Sequence, residues 1–135
     1  MLHDVIEQIR LHNVFLITAH IRLDGDALGS ELALYHILRS LGKKAVIYNQ
    51  DRTPENYRFL PGSDTIVSTI ENPDQYDAVF ILDCSELERV GEKAEEIARM
   101  KRLINIDHHI SNDGFCHFSY IDPAASSTGE LLCRL

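Results

Sequence analysis

The segment Asp77 to Leu82 carries five apolar residues in succession, Ala78-Val79-Phe80-Ile81-Leu82. A strand with one wet face alternates apolar and polar residues, so this unbroken run belongs at the centre of a sheet covered on both sides. Val14 to Ala19 and Arg102 to Ile106 read as further buried strands, with Ala45 to Tyr48 and Phe118 to Ile121 as shorter ones. Helix-period segments lie between them. Leu2, Val5, Ile6 and Ile9 fall at i, i+3, i+4 and i+7, and Ala27 to Leu41 is apolar almost all round the wheel, with Gly42 placed as a C-terminal cap. A third helix is predicted over roughly Gly91 to Lys101, with Ala94, Ile97 and Ala98 inward and its acids ahead of its bases. A fourth begins near Ser126. Strands alternating with helices predict an α/β fold, a doubly wound, mostly parallel sheet with helices on both faces. The polar stretch holding Pro54, Pro61 and Gly62 reads as loop or short helix.

Composition narrows the function classes. The chain has 135 residues, 44% apolar and 25% charged, which suits one compact domain and excludes disordered and fibrous classes. Its 13 basic against 21 acidic residues give a net charge of −8, so the broad basic footprint of a duplex-binding protein is missing. No apolar run approaches the roughly 20 residues of a membrane span, and the start lacks the basic-then-apolar layout of a secretory signal, so a cytoplasmic location without membrane partners is expected. Cys84, Cys116 and Cys133 form no C-x-x-C pair and read as buried thiols.

The predicted strands end in residues of one chemical kind. The first runs into His20-Ile21-Arg22-Leu23-Asp24-Gly25-Asp26, a central one into Asp83, and a third into Asp107-His108-His109. Binding sites of open parallel sheets form beyond the carboxyl ends of their strands, so these residues should converge although His20 and His109 are 89 positions apart. Clustered carboxylates repel one another and call for cations. Carboxylate oxygens with a minority of imidazoles suit Mn²⁺ or Mg²⁺, and the number of ligands fits two ions better than one. Each motif alone has a bland reading as a turn or strand terminator. Their joint placement favours a metal site, with Gly25 letting the loop fold tightly and the following helix aiming its N-terminus at a phosphate.

His20-x-x-x-Asp24-x-Asp26, Asp83 and Asp107-His108-His109 resemble the first three motifs of the DHH phosphoesterase family. The segments Asp83 to Gly91, Asp107 to Asn112 and Asp122 to Glu130 are similar to its nanoRNase and pAp phosphatase branch. The resemblance runs from about Asn13 to the end. It implies two Mn²⁺ ions, with Mg²⁺ or Co²⁺ as alternatives. His20 and Asp24 would bind the first ion, Asp26 and His108 the second, and Asp83 would bridge them. Asp107 would orient His108, and His109 would face the scissile phosphate. Asn112 and Arg89 are candidates for substrate contacts, whereas Arg22 reads as a solvated surface residue.

The resemblance further implies hydrolysis of short oligoribonucleotides or of 3′-phosphoadenosine 5′-phosphate. Short single-stranded RNA or a nucleotide phosphate would be the partner, and a homo-oligomer is compatible with it. Within the family the alternatives are a cyclic-dinucleotide phosphodiesterase, a RecJ-like single-strand exonuclease and a polyphosphatase or pyrophosphatase. Residues 1–135 are expected to form the catalytic domain cut short, with the family's fourth motif, another aspartate, and its C-terminal substrate domain beyond Leu135. Such a piece is expected to turn over weakly or not at all. Leu23 stands where proline is frequent in related chains. Outside the family, a signalling receiver domain has no use for His20 or His108-His109, and a haloacid-dehalogenase-type phosphatase wants Thr or Val where Leu28 stands. A non-catalytic regulatory domain with a metal site is the remaining alternative.

Overall fold

A computed structural model describes residues 1–135. Five strands, β1 (Val14–Ala19), β2 (Lys44–Ile47), β3 (Ala78–Leu82), β4 (Leu103–Asp107) and β5 (Phe118–Ile121), form one sheet in the order β2-β1-β3-β4-β5. Every neighbouring pair is parallel, so the sheet is wholly rather than mostly parallel. The apolar run Ala78–Leu82 lies in the middle and is buried throughout.

Burial on both faces follows from strand periodicity, since successive side chains point to opposite sides. Phe15, Ile17, Ala78, Phe80, Leu82, Ile104 and Ile106 face α1 (Leu2–Leu11), α2 (Gly25–Ser40) and α4 (Thr128–Cys133), meeting Val5, Ile9, Leu28, Leu34, Leu38, Leu131 and Leu132. Leu16, Val79, Ile81 and Leu103 face the other way, onto Ile97 of α3 (Ala94–Ala98) together with Val90 and Met100. This is the doubly wound arrangement. The chain leaves β1 for one neighbour, β2, and returns to the other, β3, so the strand order reverses between β1 and β3. Ligand crevices of such sheets open at that reversal.

The predicted third helix is shortened. Gly91 adopts φ +101°, outside the helical region, and any Cβ there would run into the side chains of Gln50 and Ile21. A 3₁₀ turn over Leu87–Val90 therefore ends at Gly91, and α3 begins only at Ala94. The cysteines also divide. Cys84 is buried, but Cys116 is half-buried and Cys133, in the last turn of α4, is exposed.

One buried charge stands out in α2. Glu31 is fully buried, accepts a 2.8 Å hydrogen bond from Asn49 Nδ2 through Oε2, and has no partner for Oε1. Burial pushes its carboxyl well above the usual carboxylate range, the Asn49 hydrogen bond opposing only in part. The folded state therefore holds this proton more tightly than the unfolded chain. Stability from this group is fully present below the unfolded value of 4.5 and is lost as pH rises through the folded one. Glu31→Gln keeps the shape and the Asn49 contact without the charge. It is expected to raise stability by about 1 kcal/mol or more at pH 8, a gain that shrinks towards pH 4.5; thermal melts across that range measure it.

Candidate metal centre

Three strands deliver the site. His20 follows β1, Asp83 follows β3, and Asp107 is the last residue of β4, with His108 and His109 directly after it. Asp24 and Asp26 come from the start of α2, Asp26 in its first turn. Asp24 is the N-cap, its Oδ1 accepting from the Ala27 amide at 2.9 Å.

Asp83 is the hub. It is 2% exposed and has φ +57°, a left-handed conformation that aspartate tolerates better than bulky residues do. Its two oxygens serve two groups of side chains. Oδ2 lies 3.4 Å from His20 Nε2, which is also 3.7 Å from Asp24 Oδ2. Oδ1 lies 3.6 Å from His108 Nε2, which is 3.6 Å from Asp26 Oδ2. The donor atoms of His20, Asp24 and Asp83 all lie within 4.8 Å of one another, and so do those of Asp83, His108 and His109.

These separations decide what the cluster can hold. His20 Nδ1 is 2.6 Å from the Ile21 carbonyl, which can only accept, so Nδ1 carries the hydrogen and Nε2 faces the two carboxylates. At 3.4 to 3.7 Å these contacts are longer than good hydrogen bonds. They come close to the spacing of two ligands on a common ion, each about 2.1 Å from it. Oxygen donors with imidazole and no thiolate suit a hard or borderline divalent cation. The neighbouring Cys84 does not alter this, because its sulfur belongs to neither group of converging donor atoms; burial pushes its thiol far up. The adjacent Asp83 carboxylate raises the His20 imidazole above its ordinary range, with burial opposing it.

The carboxylate of Asp107 turns to His109 and not to His108, the partner that the family resemblance implied. Its Oδ1 accepts from His109 Nδ1 at 2.6 Å. Extended chain explains the choice: residues two apart share a side, so Asp107 and His109 point together while His108 points to the α2 side, towards Asp26. Asn112 stands behind Asp107, its Nδ2 2.7 Å from Asp107 Oδ2, 2.7 Å from Asn105 Oδ1 and 3.1 Å from the Cys84 carbonyl. That amide is thus engaged with protein groups. Arg22 is exposed, as expected, yet it lines a depression of about 440 Å³ with His20, Asp24 and Arg89.

Several contributors escaped the sequence reading. Thr128, fully buried, donates its hydroxyl to Asp83 Oδ1 at 2.9 Å. The amides of Thr128 and Gly129 donate to the two oxygens of Asp26 at 3.0 and 2.8 Å. A Cβ at position 129 would lie 3.3 Å from Asp26 Oδ1, so glycine lets α4 approach this carboxylate closely. Asn105, also fully buried, donates to the carbonyls of Ile81 and Cys84 and ties β4 to the loop that carries Asp83. Its signal was a polar residue inside an otherwise apolar strand. Thr128 and Gly129 gave none beyond their place in a segment similar to one branch.

Residues 14–135 match the DHH family, N-terminal domain. The chain belongs to that family. It is 36% identical over 117 residues to the bifunctional oligoribonuclease and PAP phosphatase NrnA of Thermus thermophilus, covering 86% of this chain and 34% of that protein. It is 24% identical over 132 residues to the protein of the same name from Bacillus subtilis, covering 98% and 41% respectively. A crystal structure of an exopolyphosphatase-related protein from Bacteroides fragilis superposes with a TM-score of 0.91 at 30% identity, over 98% of this chain and 42% of that one. The chain thus spans between about a third and two-fifths of the length of these relatives. No helix is long and apolar enough to cross a membrane.

Proposed function

We propose that this DHH-family chain is the catalytic domain of a two-metal phosphoesterase that cleaves short oligoribonucleotides and the 3′-phosphate of pAp-like nucleotides. One observation carries the reading: the buried Asp83 divides its two oxygens between His20 and His108 at 3.4 and 3.6 Å, the disposition of a carboxylate shared by two ions. His20 and Asp24 would hold one ion, Asp26 and His108 the other, with Mn²⁺ the expected metal. When bound, such a pair supplies a hydroxide nucleophile near neutral pH and offsets charge on the phosphoryl oxygens.

The chain's own residues divide the rest of the work. Asp107 fixes the hydrogen of His109 on Nδ1, which leaves Nε2 to hold or release a proton at the phosphate or the leaving oxygen. Asn112, behind Asp107, keeps that acid from rotating. Thr128 and the Thr128 and Gly129 amides hold Asp83 and Asp26 in place. Arg22 and Arg89, beside His20 and Asp24, would receive an anionic substrate despite the net charge of −8.

The test is Mn²⁺-dependent release of mononucleotide from RNA of two to five residues, and of phosphate from pAp, by a protein carrying this domain. Turnover of inorganic polyphosphate in preference to both would favour the second reading, a polyphosphatase, which the structural likeness to an exopolyphosphatase-related protein supports. Absence of hydrolysis with all three would reject the proposal. Residues 1–135 alone, without a further aspartate and a substrate domain, are expected to be far less active than the whole enzyme.

Thr128→Val tests the bracing of Asp83 separately. The substitution keeps the shape of a fully buried side chain and removes one donor. Mn²⁺ affinity is expected to fall about 10- to 100-fold, as for other partners that orient metal ligands. Titration followed by electron paramagnetic resonance measures it.

A further inference from the structure

On the outer side of β2 the chain from Asn49 to Ser68 folds over the sheet edge, where Val67 continues the pairing through the Tyr48–Val67 bridge. This fold forms an open-mouthed cavity of about 400 Å³, within the range of small-ligand sites. Arg52, Thr53, Arg58, Ser63 and Ser68 line it, with Asn49 at its inner wall. Arg52 has no ion-pair partner, and Arg58 uses only Nε, donating to the Thr53 carbonyl at 3.1 Å, so its terminal nitrogens remain available. Two acids share the wall. Asp51 Oδ2 accepts from the Arg22 amide at 2.5 Å, and neither Asp51 nor Asp64 pairs with Arg52 or Arg58.

A second observation points to a ligand. Asn49 is 3% exposed, and its amide is oriented by the Nδ2 contact to Glu31, yet its Oδ1 has no partner. An orphaned buried acceptor costs free energy that a bound donor would recover. The cavity therefore offers guanidinium groups and the Thr53 and Ser68 hydroxyls for an anion, the Ser63 hydroxyl being taken by the Arg58 carbonyl, and an acceptor for a hydroxyl or amino group. These are the two chemical faces of a nucleotide. Its position suits the same substrate, because the Asp51–Arg22 hydrogen bond joins it to the loop between His20 and Asp24, whose Arg22 also lines the depression shared with Arg89.

We propose that this cavity binds the nucleotide unit next to the one being cleaved. Arg52 and Arg58 grip its phosphate and Asn49 Oδ1 accepts from its sugar or base. The role as substrate subsite rests on the phosphoesterase reading; the binding of a nucleotide does not. Both arginines are exposed, so alanine at either position leaves the fold intact, which thermal melting checks.

The first measurement is binding of AMP, adenosine and inorganic phosphate to metal-free protein in EDTA, followed by amide chemical shifts. AMP is expected to shift the amides of Asn49, Ser63 and Ser68 and to bind more tightly than adenosine or phosphate alone. Arg52→Ala and Arg58→Ala should each weaken it about tenfold. AMP binding that is unchanged in both variants, or that shifts only amides around Asp24 to Ala27, overturns the proposal. The second measurement is the preference in kcat/KM for a dinucleotide bearing a 5′-phosphate over one without it, expected to fall about tenfold in Arg52→Ala. Hydrolysis with that preference unchanged removes the subsite and leaves the phosphoesterase standing. Arginine-dependent AMP binding without any hydrolysis keeps the nucleotide site and rejects the phosphoesterase.

Discussion

Asp83→Asn is expected to lower phosphoester turnover at least about 10³-fold and to weaken divalent-cation binding at both halves of the centre together. The reasoning starts from its two oxygens, which face His20 and Asp24 on one side and His108 and Asp26 on the other. Replacing one of them by an amide nitrogen removes a ligand from one side and leaves only a neutral amide oxygen on the other. A metal contribution of several kcal/mol to transition-state stabilisation converts to about this loss in rate. Asparagine is the informative substitution because it also tolerates the φ of +57° at this position and keeps the side-chain volume. The Thr128 hydroxyl can still donate to the remaining carbonyl oxygen. Folding should therefore survive while binding fails. Manganese titration gives the stoichiometry, and loss of only one of two ions with turnover retained would show that the carboxylate is not shared.

The fold and the cluster were legible in the sequence to different depths. The continuous apolar run at 78–82 and the largely apolar segments at 14–19 and 102–106, interrupted by Thr18 and by Arg102 and Asn105, carried the central strands, because a strand buried on both faces needs no solvent-facing residue. The third helix was over-read. Its acid-to-base order and inward apolar residues suit a helix, but Gly91 takes a positive φ where the chain packs against Gln50 and Ile21, a tertiary contact that local pattern does not encode. Strand ends placed His20, Asp83 and Asp107 at one edge, since parallel strands share a direction. What lies behind them was hidden. Thr128 and Gly129 reach Asp83 and Asp26 only because α4 packs on α2 across more than 100 positions of chain, and no spacing rule links residues that far apart. The partner of Asp107 was misassigned between two adjacent histidines. Side-chain alternation beyond the end of β4 decides it, which the family resemblance carried over residue by residue did not include.

Asp107→Asn separates the orientation of His109 from the metal centre itself. Asp107 is fully buried and acts through its two oxygens, Oδ1 accepting from His109 Nδ1 at 2.6 Å and Oδ2 from Asn112 Nδ2 at 2.7 Å. With an amide in its place one of these partners must meet an NH₂ group. If the NH₂ faces His109, Nδ1 has to accept, so the hydrogen moves to Nε2 and the imidazole presents the wrong tautomer. If it faces Asn112, two donors oppose each other in a buried site. Either way the proton-handling nitrogen is misplaced. General acid–base catalysis by one positioned side chain is worth about 10² to 10⁴-fold, and turnover is expected to fall within that range. Manganese affinity should change far less, because His20, Asp24, Asp26, Asp83 and His108 keep their own contacts. Measuring kcat and metal affinity on the same preparation distinguishes the two roles. A parallel loss of both would mean that Asp107 supports the metal ligands, whereas full turnover with intact metal binding would remove His109 from the chemistry.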